Sequence, residues 1–166
     1  SNMFVENREF SFLEHLHSKY LIKINPYFLF CVEPGTKTSS RNLLKEREFI
    51  REKLNIIYPC THRNSCPAFT DPDNWCHLKF KWERPEWIRI IDKITGFNKS
   101  ELEFSALILS GFSKNPSISV RSRIVSDPKV RRKNYEFFIC NEKGLFKKEL
   151  PKKLSRDLKR GEILEE

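Results

Sequence analysis

The sequence predicts a single α/β domain that is similar to the C-terminal part of a doubly wound sheet. The chain has 166 residues, of which 39% are apolar and 32% charged, which suits one domain with its own core. Helical and strand-like apolar patterns alternate along it, as in α/β proteins. All five glycines are isolated, so the glycine-rich turn that opens a whole doubly wound domain is missing.

The N-terminal segment predicts a helix followed by a strand. Residues 1–3 resemble a remnant of cloning and are excluded from the predicted fold. Ser11 and Glu14 form a capping box that starts a helix over residues 12–22. The unbroken apolar run "YFLFCVE", residues 27–33, is typical of a strand that is covered on both faces in a parallel sheet.

A second helix follows this strand. The loop "EPGT", residues 33–36, reads as a turn that needs Gly35, with a ligand-binding loop as the alternative. Apolar residues at helical spacing then predict a helix over residues 41–55, with Ser40 as its N-cap. Residues 4–57 are therefore expected to form helix, strand and helix, which is half of a βαβ unit.

The segment 58–82 predicts a long, irregular, cysteine-rich loop. It is rich in Pro, Asp and Asn, and five and nine residues separate its cysteines Cys60, Cys66 and Cys76. Loops of this length inside compact domains are usually functional. Cys31, in contrast, lies inside the predicted strand and is interpreted as a buried structural thiol.

The rest of the chain predicts a helix, three strands and a tail. Pro85 and Gly96 bound a short helix, since Pro favours the first helical turn and Gly the stop. The remaining predictions for residues 83–166 are strands at 102–111, 117–126 and 135–140, and a basic, partly helical tail at 147–166.

The polar loop cysteines favour a metal site. No signal peptide precedes them, which argues against disulfides in an intracellular chain. Cys140, at the end of a predicted strand, could return to the loop as a fourth ligand, and His62 and His77 are competing ligands. Four thiolates suit zinc or an iron–sulfur cluster, and the spacing does not choose between the two.

The charge favours a polyanionic partner such as RNA. The formal net charge is +9, from 31 Lys and Arg against 22 Asp and Glu, and such an excess binds phosphates through counterion release. No apolar run is long enough for a membrane span, and a soluble protein is expected. The candidate phosphate contacts flank the last cysteine-bearing strand: Arg121, Arg123, Arg131, Arg132 and Lys133.

Ordered motifs carry a family resemblance. The stretches "EPGT", "CTHRNSCP", "WCH", "EFSALIL" and "IC" occur in this order along nearly the whole chain. In this respect the chain resembles the small-ribosomal-subunit methyltransferase-like family, of the mitochondrial methyltransferase-like and mitoribosomal Rsm twenty-two type. The motifs cover only the C-terminal half of that family's pattern.

The resemblance implies a class I methyltransferase-like, Rossmann-like sheet and a role in assembly of the small ribosomal subunit. It also implies a [4Fe-4S] cluster on Cys60, Cys66, Cys76 and Cys140, with small-subunit rRNA as partner. The expected location is the bacterial cytoplasm or the mitochondrial matrix.

S-adenosylmethionine is expected only in a complete protein with an N-terminal methyltransferase half, because this chain lacks the glycine-rich methyl-donor turn. No catalytic residue is predicted in this chain. The alternative is a zinc-stabilised RNA-binding module without methyltransferase activity.

Overall fold

A computed structural model describes residues 11–24, 26–97, 100–111 and 121–165. Within these ranges the protein has two antiparallel sheets, with helices packed against the first. The predicted α/β class is confirmed, but the predicted parallel sheet is wrong. In the same ranges no helix has the length and apolar character that crossing a bilayer requires.

The first sheet is built around one long strand. It contains β1 (Phe28–Pro34), β2 (Asn55–Tyr58), β3 (Leu78–Lys81) and β4 (Glu101–Ser110). Strand β4 pairs with β1 along one edge and with β2 and β3 along the other, always antiparallel. Helix α2 (Lys37–Ile50) joins β1 to β2. These two strands run in the same direction, but β4 lies between them.

The face of β1 that points away from α2 is open, which corrects the prediction of a strand covered on both sides. Phe30 and Val32 are 68% and 66% exposed, whereas Cys31 and Glu33 between them are buried. An apolar run reveals how favourable burial would be, but not whether a neighbour is present to cover each face. Cys31 lies in the core, as predicted.

Helix α1 (Phe12–Lys19) begins at the predicted N-cap Ser11 and is held by α2, whereas the carboxylate of Glu14 pairs with Lys53. The Ser11 hydroxyl accepts a hydrogen bond from the backbone N–H of Glu14 at 3.1 Å. The buried carboxylate of Glu46 in α2 accepts from the Ser11 hydroxyl at 2.5 Å and from the N–H groups of Phe12 and Leu13 at 3.1 and 2.9 Å. Two helices are thus joined by one carboxylate that satisfies otherwise orphan donors.

Helix α2 begins earlier than the sequence predicts. Thr36 is its N-cap, with its side chain accepting from the N–H of Ser39, whereas Ser40 is buried inside the helix. The buried face of α2 packs on the sheet because its apolar residues recur every three to four positions. The core formed in this way comprises Leu13, Cys31, Leu43, Ile50, Leu54, Ile56, Leu107 and Leu109.

The second sheet consists of β5 (Arg121–Ile124), β6 (Lys129–Val130), β7 (Asn134–Asn141), β8 (Gly144–Pro151) and β9 (Ile163–Glu165). Strand β8 pairs along the whole of β7, β5 and β6 share the other edge of β7, and β9 pairs with β5. The predicted strand at 135–140 is confirmed. Of the predicted strand at 117–126, residues 117–120 lie outside the described residues.

The partly helical prediction for the basic tail is confirmed, although strands stand on both sides of the helix. Residues 144–151 form β8, and only the short helix α5 (Lys152–Ser155) is helical before β9. Lysines and glutamates have low strand propensity, but pairing with β7 overrides that preference.

Two short elements also interrupt the predicted irregular loop at 58–82, namely α3 (Pro67–Thr70) and β3. The helix predicted between Pro85 and Gly96 is confirmed as α4 (Glu86–Thr95), and Gly96 adopts the left-handed φ of 73° at its end.

Candidate metal centre

One cavity of about 320 Å³ is lined by all four of the predicted ligand cysteines: Cys60, Cys66, Cys76 and Cys140. The cavity lies where the first sheet and the loop between β2 and β3 meet the second sheet. All four side chains are free thiols. The structure thus brings together residues that are far apart in the sequence.

Each cysteine has a different local setting. Cys60 follows β2 by two residues, Cys66 immediately precedes α3, and Cys76 lies two residues before β3. Cys140 is on β7, opposite Arg123 of β5. Three thiols therefore come from the loop and the fourth from the second sheet.

The side chain of Arg47, which is 1% exposed, joins α2 to the first part of the loop. Its Nε donates to the Sγ atom of Cys60 at 3.2 Å. Its Nη2 donates to the carbonyl oxygens of His62 and Asn64 at 3.0 and 2.9 Å, and its Nη1 pairs with the carboxylate of Glu48. One guanidinium therefore contacts a candidate ligand and fixes the backbone that follows it.

Glu48 and Arg41, also on α2, hold the rest of the loop. The Glu48 carboxylate accepts from the Ser65 hydroxyl at 2.8 Å and from the backbone N–H of Cys66 at 3.0 Å. Arg41 donates to the carbonyl oxygens of Asp71 and Asn74 at 2.7 and 2.8 Å. Loop carbonyls that no strand partner satisfies are thus paired with helix side chains.

The same loop is tied to the second sheet. The Thr61 hydroxyl donates to the Cys140 carbonyl at 3.3 Å, and the Asn64 side-chain amide donates to the Glu142 carbonyl at 2.9 Å. His62 Nε2 lies 3.4 Å from Cys140 Sγ. The loop therefore bridges α2 and β7.

The position of Cys76 is set by β4. Its carbonyl accepts from the Ser105 hydroxyl at 2.9 Å, and Ser105 is hydrogen-bonded to the hydroxyl of Ser40 at 2.5 Å. The adjacent His77 stacks on Trp75 and accepts at Nε2 from Arg160 at 2.9 Å. Both candidate histidine ligands line the cavity and already contact another side chain there.

Burial favours the neutral thiol at three of the cavity cysteines. It raises the pKa of Cys66 to about 11 and the pKa values of Cys76 and Cys140 to about 12, and the charges of neighbouring thiolates add to the effect. Arg47 opposes this shift at Cys66 and Cys140. Thiolates at this site therefore need a compensating positive charge.

Some side chains that line the cavity have buried nitrogen atoms without partners. In the described part of the chain, His62 Nδ1 and Arg123 Nε are buried and make no hydrogen bond. Within the same ranges, no group of three or more His, Cys, Asp or Glu side chains is arranged so that it could hold a metal ion. The four cysteines therefore line one cavity without forming a group of this kind.

The predicted phosphate contacts have different environments. Arg121 and Arg131 lie at the surface and face Glu165 and Glu136, at 3.9 and 2.7 Å. Arg132 and Lys133 are exposed between β6 and β7. Arg123, also predicted as a phosphate contact, instead lines the cavity 4.8 Å from the Tyr58 ring.

Sequence reasoning missed Arg41, Arg47 and Glu48. A pattern for Arg47 was nevertheless present, because it lies three residues from Leu44 and from Ile50 on the apolar side of α2. An arginine on such a face must find buried acceptors. Arg41 and Glu48 lack a comparable pattern, since charged residues at the edge of an amphipathic helix are ordinary.

The chain matches the family described as mitochondrial small ribosomal subunit Rsm22 over residues 6–163. No curated protein matches it.

Proposed function

Because the chain belongs to the mitochondrial small ribosomal subunit Rsm22 family, we propose that it acts in assembly of the small ribosomal subunit in the mitochondrial matrix. We infer that it is the cluster-bearing part of an rRNA methyltransferase-like protein. The single observation that carries the proposal is the cavity lined by Cys60, Cys66, Cys76 and Cys140.

The proposed occupant of the cavity is a [4Fe-4S] cluster held by these four cysteines. Four soft sulfur donors are the ligand set of such clusters. A single zinc ion would need them about 2.3 Å from one point, and no group of the described residues has such an arrangement. A cluster core spans several atoms, so its ligands need not approach one point, and four thiols that line one cavity support the proposal.

The charges around the cavity support the same proposal. Four thiolates around an iron–sulfur core leave a net negative charge, which is costly to bury unless cations accompany it. Arg47, Arg123 and Arg160 line the cavity. Their guanidinium groups supply positive charge where burial alone would keep the thiols protonated.

The proposed role of the cluster is structural. When bound, it would supply metal–thiolate bonds that join the loop to the second sheet and add to the folding free energy. Arg47, Glu48 and Arg41 hold the loop in position from α2. Within the loop, Thr61 and Asn64 donate to the backbone carbonyls of Cys140 and Glu142.

The proposal includes rRNA and a methyltransferase half as partners. Exposed Arg132 and Lys133, with Arg121 and Arg131 near them in the sequence, would contact phosphates without reading base sequence. Strand β1 lies at the end of the sheet order, and its residues Phe30 and Val32 are exposed. Such an apolar face supports the proposal that an N-terminal half, which binds S-adenosylmethionine, covers it.

The test is metal analysis of protein purified without oxygen. We expect a brown protein with about four irons and about four sulfides per chain. One zinc without sulfide would favour a zinc-stabilised RNA-binding module instead. A stable protein that contains neither metal after reconstitution with iron and sulfide would contradict the proposal.

A further inference from the structure

We propose that Arg47 is a positioning residue that raises the reduction potential of the cluster through its hydrogen bond to the Cys60 sulfur. This inference rests on the proposed function, because it requires a cluster in the cavity. It adds a role for one residue that neither the family match nor the cysteine pattern assigns.

The hydrogen bond between Arg47 and Cys60 is buried, and other contacts fix the arginine side chain. Arg47 Nε lies 3.2 Å from Cys60 Sγ, and the side chain is 1% exposed. Its other two nitrogens are occupied by Glu48 and by the carbonyls of His62 and Asn64. The guanidinium is therefore fixed in one orientation by helix α2 on one side and the loop on the other.

Among the arginines that line the cavity, Arg47 is the one that donates a hydrogen bond to a cysteine sulfur in the described residues. Arg123 is placed beside the Tyr58 ring, and Arg160 donates to His77. Within the described residues, no hydrogen bond joins either of them to a cysteine sulfur, whereas Arg47 makes one to Cys60.

The physical effect has a definite direction. Reduction adds one electron to the cluster and therefore negative charge to its sulfurs, without making or breaking a bond in the protein. A hydrogen bond to a ligand sulfur stabilises the more negative state, and hydrogen bonds to sulfurs are known determinants of cluster potential. Burial strengthens the interaction because little water screens it.

The experiment is a redox titration of the reconstituted protein, with dithionite as the electron donor. In Arg47→Gln we expect the ratio of reduced to oxidised cluster at a fixed ambient potential to fall at least tenfold. For a one-electron couple this corresponds to a shift of about 59 mV to lower potential.

Arg41→Gln is the matched control. Arg41 lies on the same helix and binds carbonyls of the same loop, but it does not line the cavity. A shift in Arg47→Gln alone would support the inference. Equal potentials in the wild type and Arg47→Gln, or equal shifts in both variants, would overturn it.

A second measurement decides the case in which Arg47→Gln retains no cluster. The wild-type protein is labelled with ¹⁵N-arginine and reduced, and pulsed electron paramagnetic resonance is used to detect coupling between the cluster and nitrogen. Coupling transmitted through the hydrogen bond supports the inference, and its absence overturns it. A wild-type chain that takes up no iron overturns the proposed function as well, so the two failures are distinguishable.

Discussion

His62 Nε2 lies 3.4 Å from the Sγ atom of Cys140, although the two residues are 78 positions apart in the sequence. Beside this contact, Thr61 donates to the backbone of Cys140 and Asn64 to that of Glu142. The first sheet carries the loop, and the second sheet carries β7. The candidate metal centre therefore lies at the junction of the two sheets, and changes at one cysteine should affect both.

Cys66→Ser should lose the metal and lower the stability of the protein. Cys66 is 6% exposed and lines the cavity, and a serine oxygen is a poor substitute for a thiolate on soft metals. We expect iron per chain to fall to less than about a quarter of the wild-type value, together with a lower melting temperature. Iron analysis and calorimetry on protein prepared without oxygen measure both.

Cys31→Ala is the control for this prediction. Cys31 is buried in the core and does not line the cavity, so its loss should cost about 1 kcal/mol of stability and leave the iron content unchanged. Equal iron in Cys66→Ser and Cys31→Ala would rule out Cys66 as a ligand.

Glu46→Ala should destabilise the packing of α1 on α2. It removes the acceptor of the buried Ser11 hydroxyl and of two backbone N–H groups, at an expected cost of about 3 kcal/mol in the free energy of unfolding. Urea unfolding measures it. Glu52→Ala, whose side chain is 73% exposed beside Arg51, should change the same quantity by less than about 0.5 kcal/mol. Similar values for both variants would contradict the capping role of Glu46.

His17 should make the folded protein less stable at acid pH. Burial, followed by the charge of Lys53, lowers the pKa of His17 below its ordinary value of 6.5. The unfolded chain therefore takes up the proton at a higher pH than the folded one, and stability is lost as the pH falls through 6.5.

The measurement is urea unfolding of wild type and His17→Gln at about pH 7.5 and about pH 5.5. The wild type should lose more stability on acidification than the variant does. An equal loss in both proteins would assign the pH dependence to other groups.

Arg132→Gln combined with Lys133→Gln should weaken RNA binding. Both residues are exposed, whereas the side chain of Arg131 is already paired with Glu136. Arg132 and Lys133 therefore test phosphate binding more directly than Arg131 does. Loss of two phosphate contacts should reduce the salt slope of log K by about 2 and affect unrelated RNA sequences equally. Binding titrations with a small-subunit rRNA fragment and an unrelated RNA at several salt concentrations test this.

The matched control is Lys45→Gln combined with Lys93→Gln, which removes the same charge from exposed positions on α2 and α4. Binding at low salt that is the same for both double variants would show that Arg132 and Lys133 do not contact phosphates.

Local patterns predicted helices α1, α2 and α4 and strands β1, β4 and β7, but neither the eight-residue strand β8 nor how the strands pair. The N-cap at Ser11 and the Gly96 stop are local backbone chemistry, and both occur in the structure. The antiparallel placement of β4 between β1 and β2 depends on contacts between distant segments, and an apolar run is compatible with either strand direction.

The candidate site was similarly predicted in part. Unusual cysteines in a polar loop pointed to a shared site, and the four thiols do line one cavity. Arg41 and Glu48 were not predicted because each binds a backbone atom of the loop. Every residue has these backbone atoms, so no sequence pattern indicates the contact. Arg123 lies on the same face of β5 as the exposed Arg121, but it lines the cavity, and a two-residue alternation does not reveal which segments cover a face.

The bridge between the loop and β7 imposes an order on biosynthesis. Cys60, Cys66 and Cys76 are synthesised before Cys140, so the contacts of Thr61, His62 and Asn64 can form only after β7 has been made. Any nascent or truncated chain that stops before Cys140 lacks one wall of the cavity. The complete cavity thus requires a chain that extends beyond β7, since Arg160 also lines it.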